Sequence, residues 1–331
     1  MNVVEALRLP GIETALQRVE ESLRAATAGE DPFLAEVAVH LVRAGGKRLR
    51  PALVLAAACA CGAGPDVPEA VVQGAVAVEL VHLGSLYHDD VMDEAASRRG
   101  VESANARWGN LVAILAGDFL LARASEIAAS LGTEVAALLA RTIGQLCEGE
   151  VRQLRYSFDP QRTEDSYFAS IAGKTASLMA TASRIGGLTT GAPRDHVEAL
   201  TDFGYSIGMA FQIWDDIRDL ISNDEDLGKP AGHDMVEGTY TLPVLRALAV
   251  PGIGEDLASL LGAPLDPPTR EKAKDLVLST DAIASSIATG REWAERADTA
   301  LAPLRESSPA TSHIEVLGNV GYRLLDELSV S

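Results

Sequence analysis

The sequence predicts an all-α protein, and three observations carry that reading. Ala, Leu and Val dominate a chain that is 47% hydrophobic, while aromatic residues make up only 5%; Ala and Leu are strong helix formers, whereas strands favour β-branched and aromatic residues. Apolar residues recur at helical spacing in almost every segment. No series of segments alternates polar and apolar residues as half-buried strands do. The 331 residues fit one large helical domain, so a single domain over 1–331 is expected.

The helices are expected in order. Glu5 to Ala28 is amphipathic and ends at Gly29. Phe33 to Ala44 stops at Gly45-Gly46, and Pro51 to Cys61 follows with Pro51 at a helix start. Val67 to about Asp93 reads as one long apolar helix, and Leu111 to Leu131, Glu134 to Arg155, Glu164 to Leu188 and Asp195 to Ser222 continue the pattern. The helices around Glu79, Ala113 and Met209 are apolar around most of their circumference and belong inside the bundle. Pro251 to Pro268 is rich in Gly and Pro and reads as a surface excursion.

The net charge of −19 (28 basic against 47 acidic residues) repels nucleic-acid phosphates and anionic headgroups, so neither is an expected partner. A phosphate-bearing substrate remains compatible, because a bound divalent cation reverses the local field. Cys59, Cys61 and Cys147 form no C-x-x-C pair and their odd number argues against a disulfide framework. With no basic start followed by an apolar stretch at the N-terminus, and the longest apolar run, Pro51 to Cys61, too short to span a bilayer, a cytoplasmic protein without a transmembrane segment is expected.

The chemistry lies in an aspartate cluster that occurs twice. His88-Asp89-Asp90-Val91-Met92-Asp93 and Gln212-Ile213-Trp214-Asp215-Asp216-Ile217-Arg218-Asp219 both read Asp-Asp-x-x-Asp, and both end a long apolar helix. Residues four apart share a helix face, so Asp89 points with Asp93 and Asp215 with Asp219. Like charges at that spacing repel unless a cation lies between them, and negative charge at a helix C-terminus opposes the dipole. One such cluster is as readily a solvated helix end; two copies after two buried helices point to a ligand. Hard oxygen donors without cysteine suit magnesium, which takes few carboxylates and keeps waters or substrate phosphates. Cations at glycine-flanked turns accompany the clusters: Gly45-Gly46-Lys47-Arg48-Leu49-Arg50-Pro51, Arg98-Arg99-Gly100, Gly173-Lys174-Thr175 and Gly228-Lys229-Pro230. Each alone reads as a surface turn; with two magnesium clusters they describe a pocket for two diphosphates.

In this order, and with Phe211-Gln212 before the second cluster, these motifs resemble the trans-isoprenyl diphosphate synthases, the polyprenyl synthetase family, from Gly45 to about Pro243. The resemblance implies a helical bundle around a central cavity, and an enzyme that condenses isopentenyl diphosphate with an allylic diphosphate. By that resemblance, Asp89, Asp93, Asp215 and Asp219 bind Mg2+ with Asp90 and Asp216 in support. Lys47, Arg50, His82 and Arg99 hold isopentenyl diphosphate. Arg98, Lys174, Thr175, Gln212 and Lys229 hold the allylic diphosphate, and Lys174, Thr175 and Gln212 act at the forming cation. The expected course is ionisation of the allylic diphosphate with its charge neutralised by the metal, attack by the isopentenyl double bond in a site closed to water, and proton loss. A homodimer is implied as well.

One departure stands out. Where many relatives carry a lysine after a Glu-Gly pair, this chain reads Glu237-Gly238-Thr239, which removes one phosphate contact. His82 alone would read as a satisfied core histidine; Glu79-x-x-His82 has the spacing of a di-iron bundle ligand pair but no second copy. A terpene cyclase is disfavoured by the intact second cluster, and a non-catalytic regulatory subunit by the retention of every aspartate. For product length, Gly84 and Ser85 lie one helical turn before the first cluster, with Leu80 and Val81 beyond and Ala113, Ala116 and Gly117 on the facing helix. None is a bulky aromatic, as short-chain members of the family tend to carry. Medium- or long-chain products are therefore expected, with a farnesyl or geranylgeranyl diphosphate synthase as the alternative. Small residues at these places also serve close helix packing.

Overall fold

The computed structural model describes residues 12–64, 66–222 and 231–326, and over these the protein is all-α as expected. The chain divides into two compact units. The first comprises 1–143, 178–204 and 300–317; the second comprises 144–177, 205–299 and 318–331.

The first unit opens with α1 (Ile12–Ala26), α2 (Pro32–Arg43), α3 (Leu49–Ala60) and α4 (Glu69–Met92). Asp31 caps α2, its carboxylate accepting from the Phe33 and Leu34 amides. The third helix starts two residues before Pro51, so the proline sits within the first turn, where its missing N–H costs nothing. A short antiparallel hairpin that the periodicity did not signal, β1 (Ser97–Arg98) and β2 (Val101–Glu102), follows. Arg99 and Gly100 form its turn, both with positive φ (53° and 77°), as a two-residue hairpin requires. After α5 (Ala104–Trp108) come α6 (Asn110–Ser130) and α7 (Thr133–Arg155), the latter belonging to this unit up to Ile143.

The core of this unit is α3 and α4. Ala52 to Ala58 are fully buried on every side of α3, and Val71 to Leu83 supply most of α4's buried residues. By length and composition α4 would qualify to cross a membrane, but most of it is buried inside the protein, where an all-round apolar core helix belongs. Helix α9 (Ser177–Thr189) lies directly on α3: a Cβ at Gly186 would stand 2.4 Å from Val54 O, so only glycine permits that approach. The start of α10 (Arg194–Ile221), α16 and the first part of α17, up to Leu317, complete this unit; α16 is Ala302–Ser307 and α17 is Thr311–Asp326.

The second unit contains the rest of α7, then α8 (Glu164–Ile171), a π-helical turn over Ala172–Ala176, and α10 from Tyr205 onward. The segment expected as one helix, Glu164 to Leu188, is thus widened at Gly173-Lys174-Thr175, and π-turns of this kind concentrate at functional sites. Short helices α11 (His233–Val236) and α12 (Leu242–Leu248) follow. The stretch expected as a surface excursion folds instead into α13 (Ile253–Leu260), anchored by Leu257, which is fully buried; α14 (Pro267–Leu278) and α15 (Ala282–Ala300) complete the order. Trp214, Tyr167 and Tyr240 are the largest fully buried side chains of this unit.

Candidate active site

In the first unit the glycine turn before α3 and the hairpin turn deliver cations to α4. Gly45 and Gly46 take positive φ, and the Arg99 guanidinium donates to Gly45 O. A Cβ at Gly46 would lie 2.7 Å from Arg99 Cζ, so the glycine makes room for this contact. Arg50, on the first turn of α3, is half-buried, and its Nε is buried without a hydrogen-bond partner among the described residues. His82 lies in this field: burial, reinforced by the charges of Arg50, Arg99, Arg48 and Arg98, holds its imidazole well below its ordinary pKa. The four arginines and His82 therefore form one electropositive cluster. Lys47 is exposed on the turn beside it.

Arg48, one of the three cations in the turn, has a different fate. With φ 48° it turns inward, donating to Glu79 at 2.9 Å, to Val42 O at 3.1 Å and to Glu20. Glu79 thus belongs to a buried ion pair, and no second Glu-x-x-His partner is involved.

The first aspartate cluster closes α4. Asp93 caps the helix, its N–H bonded to Asp89 O at 2.8 Å; Asp89 is half-buried and Asp93 exposed. Asp90 is turned fully inward and accepts from Arg98 Nε at 2.6 Å. Arg98 is therefore tied to the cluster itself. Gly84 does not face open space, contrary to its expected place along a product tunnel: a Cβ there would lie 3.1 Å from Gly117 O and 3.2 Å from Leu121 Cγ on α6. Its smallness lets α4 and α6 touch. Gly117 likewise makes room for the His88 ring, and Ala113 and Ala116 are fully buried. Ser85 is half-buried, with its hydroxyl donated back to His82 O at 2.9 Å.

In the second unit two glycines bring α7 and the π-turn into backbone contact. A Cβ at Gly149 would lie 2.5 Å from the Lys174 amide nitrogen, and one at Gly173 would lie 2.7 Å from Gln145 O. The next residue on α7, Glu150, meets Lys174 Nζ at 2.7 Å. At a third glycine, Gly208 on α10, a Cβ would lie 2.5 Å from Ala176 Cα, so α10 runs close against the π-turn. Gln212 and Asp216 lie one and two turns further along the same face, and they link to the π-turn by hydrogen bonds. Thr175 Oγ1 donates to Gln212 Oε1 at 2.7 Å, and Gln212 Nε2 donates to Asp216 Oδ1 at 2.8 Å. Burial, with Asp234 and Asp215 nearby, pushes the Asp216 carboxyl well above the usual carboxylate range, against the pull of these hydrogen bonds. Asp215 is exposed, whereas Asp219 is buried and accepts from the Asp234 N–H at 3.2 Å. Thr239 closes the following turn, its N–H bonded to Asp234 O at 2.8 Å. Lys229 lies outside the described residues.

Sequence reasoning missed three contributors: Tyr167, whose hydroxyl reaches Asp216, the Lys174 partner Glu150, and the inward role of Arg48. No spacing rule marks any of them. An open cleft of about 900 Å³ along α7 and α8, lined by Cys147, Arg152, Arg155, Tyr156, Thr163 and Asp165 among others, includes none of the expected site residues.

The donor sets fit a divalent cation. Both clusters offer hard carboxylate oxygens, and among the described residues no three candidate ligands converge closely enough to hold an ion by themselves.

Comparison with known proteins agrees. The polyprenyl synthetase family model matches residues 31–276. The chain is 42% identical over 263 residues to the nonaprenyl diphosphate synthase of Mycobacterium tuberculosis, covering 79% of this chain and 78% of that one. It is 42% identical over 286 residues to heptaprenyl diphosphate synthase component 2 of Geobacillus stearothermophilus, covering 85% and 87%. A crystal structure of geranylgeranyl pyrophosphate synthase from Corynebacterium glutamicum, complexed with calcium and isoprenyl diphosphate, superposes with a TM-score of 0.82 at 38% identity over 96% of both chains. The chain belongs to the polyprenyl synthetase family and is a divalent-metal-dependent trans-prenyltransferase that condenses isopentenyl diphosphate with an allylic diphosphate.

Proposed function

We propose that this enzyme makes a medium- or long-chain all-trans polyprenyl diphosphate with Mg2+ as its metal, working as a single catalytic domain over 1–331 in a cytoplasmic homodimer. The support for product length is the likeness to the nonaprenyl and heptaprenyl enzymes, together with the absence of a bulky aromatic at Ser85. The support for one domain is that the family match crosses both compact units. The cysteines, all free, suit a reducing compartment.

The observation that carries the diphosphate reading is Arg50. A buried guanidinium Nε without a hydrogen-bond partner among the described residues is costly unless an anion meets it; Arg99 and His82 lie in its field, with Glu79 and Asp89 as the carboxylates that act on it. On this reading Lys47, Arg50, His82 and Arg99 bind isopentenyl diphosphate. Arg98, Lys174, Gln212 and Lys229 bind the allylic diphosphate, and Asp89, Asp93, Asp215 and Asp219 hold magnesium. Magnesium, when bound, neutralises the charge that grows on the leaving diphosphate. Lys174 adds a cation beside that charge, while the Thr175 oxygen faces the carbon left electron-poor. His82, kept neutral, donates one hydrogen bond without adding a further charge to the arginine cluster.

Replacing Arg50 with Gln should raise KM for isopentenyl diphosphate about tenfold or more, the worth of a charge-assisted hydrogen bond, with KM for the allylic substrate little changed. An unchanged KM for isopentenyl diphosphate contradicts the assignment.

The component name of the Geobacillus relative favours a second reading of assembly, in which this chain works with a different subunit. Turnover by the purified chain alone, with its mass in solution, separates the two.

A further inference from the structure

We propose that Tyr167 is a positioning residue for the prenyl-transfer site: its hydroxyl fixes Asp216, Asp216 fixes the Gln212 amide, and the amide fixes the direction of the Thr175 hydroxyl. The inference rests on the reading of Thr175 as a neighbour of the reacting carbon.

The chain of contacts is continuous. Tyr167 Oη donates to Asp216 Oδ2 at 2.5 Å; Gln212 Nε2 donates to Asp216 Oδ1 at 2.8 Å; Thr175 Oγ1 donates to Gln212 Oε1 at 2.7 Å. Tyr167 is 1% exposed, Asp216 3% and Thr175 6%, with the half-buried Gln212 linking them. Both ends are anchored. Tyr167 follows the Thr163 cap of α8 by one turn, and the Arg162 guanidinium lies 5.7 Å from its ring centre while donating to Tyr240 O. At the other end, the Gly208–Ala176 contact sets α10 against the π-turn, so Gln212, one turn on, comes level with Thr175.

Chemistry then determines the polarity. Asp216 accepts at both of its oxygens. With Oδ2 occupied by the phenol, Oδ1 faces the amide and takes its NH2 group. The amide carbonyl must then face Thr175, whose proton is committed to it. What Thr175 has left to offer is its oxygen lone pairs, the end of the dipole that stabilises a developing positive charge. With the amide turned over, its carbonyl would meet the carboxylate and its NH2 would meet the hydroxyl oxygen, occupying those lone pairs. A buried tyrosine that merely satisfies its own hydroxyl would show the same 2.5 Å contact, so the test must detect action through Thr175.

The experiment is a double-mutant cycle on the full-length enzyme with isopentenyl diphosphate, farnesyl diphosphate and magnesium, reading kcat, both KM values and the thermal midpoint for Tyr167→Phe, Thr175→Val and the double variant. Tyr167→Phe should lower kcat about ten- to hundred-fold with KM values within about threefold, the worth of one charge-assisted hydrogen bond. In the Thr175→Val background it should cost less than about twofold, because coupled residues are not additive. If Tyr167→Phe does not fold, Tyr167→Leu takes its place with the same expected coupling. A kcat within twofold of wild type, or an equal loss in both backgrounds, overturns the proposal and leaves Tyr167 a structural residue. An undiminished kcat for Thr175→Val overturns both this inference and the role given to Thr175, whereas a wild-type enzyme that turns over no isopentenyl diphosphate contradicts the functional reading itself.

Discussion

Arg48 Nη1 lies 2.9 Å from Glu79 Oε1, and both side chains are almost wholly buried. The pair joins the glycine turn before α3 to the middle of α4, the helix that carries the first aspartate cluster. Arg48 also holds Val42 O and Gly45 O, and so sets the turn from which Lys47 and Arg50 emerge. Removing Glu79 leaves a buried guanidinium short of a counter-charge, which costs about 3–5 kcal/mol when a buried pair is broken from one side. Glu79→Ala should therefore lose about 3 kcal/mol of stability, read by denaturant unfolding. A loss below about 1 kcal/mol would show that Glu20 alone suffices as partner.

The aspartates behave differently, because stability and function part company there. Asp89 is half-buried and Asp215 exposed, each repelled by a neighbour four residues on. Asp89→Ala or Asp215→Ala should lower kcat about a thousandfold, in line with several kcal/mol of metal-borne charge stabilisation, while the protein still folds, read by a cooperative thermal transition. Turnover within a few-fold of wild type at saturating magnesium would remove both from the metal site.

His82 makes stability depend on pH. Its folded pKa is depressed, below the unfolded value of about 6.5. Above that value both states are neutral and the contribution is fully present. As pH falls through it the unfolded chain takes up a proton that the folded one refuses, and stability drops. The urea midpoint should fall between about pH 7.5 and about pH 5.5, and His82→Asn should flatten that fall. An identical slope in the two proteins would place the titration elsewhere.

Product length separates two adjacent residues. Ser85 is half-buried with its hydroxyl bonded to its own helix, so Ser85→Phe should shift products toward shorter chains, read by chromatography. Gly84 abuts Gly117 O, so Gly84→Phe should lower stability by about 3 kcal/mol or more through overpacking. A distribution unchanged in Ser85→Phe contradicts the place given to that residue.

These cases show what the sequence revealed and what it hid. Among the described residues helical period located the long elements to within a few residues, because that signal is local; the expected start of the first helix at Glu5 lies outside them. Gly84 and Ser85 looked alike in sequence, since both are small; which one meets a neighbouring helix depends on where Gly117 lies in space. Arg48 and Arg50 differ by two residues in one basic run, yet the αL backbone at Arg48 turns it inward. Tyr167 carries no motif, because its bond to Asp216 joins residues 49 apart. The hairpin at Arg98 and Arg99 is too short for periodicity to register.

The central claim is the reaction itself. The most direct measurement is incubation of the purified chain with labelled isopentenyl diphosphate, farnesyl diphosphate and magnesium, followed by analysis of product length. The account predicts incorporation that is abolished by a chelator and restored by magnesium, giving polyprenyl diphosphates longer than geranylgeranyl. Absence of incorporation by the chain under any divalent metal, or products that stop at geranylgeranyl diphosphate, would contradict it.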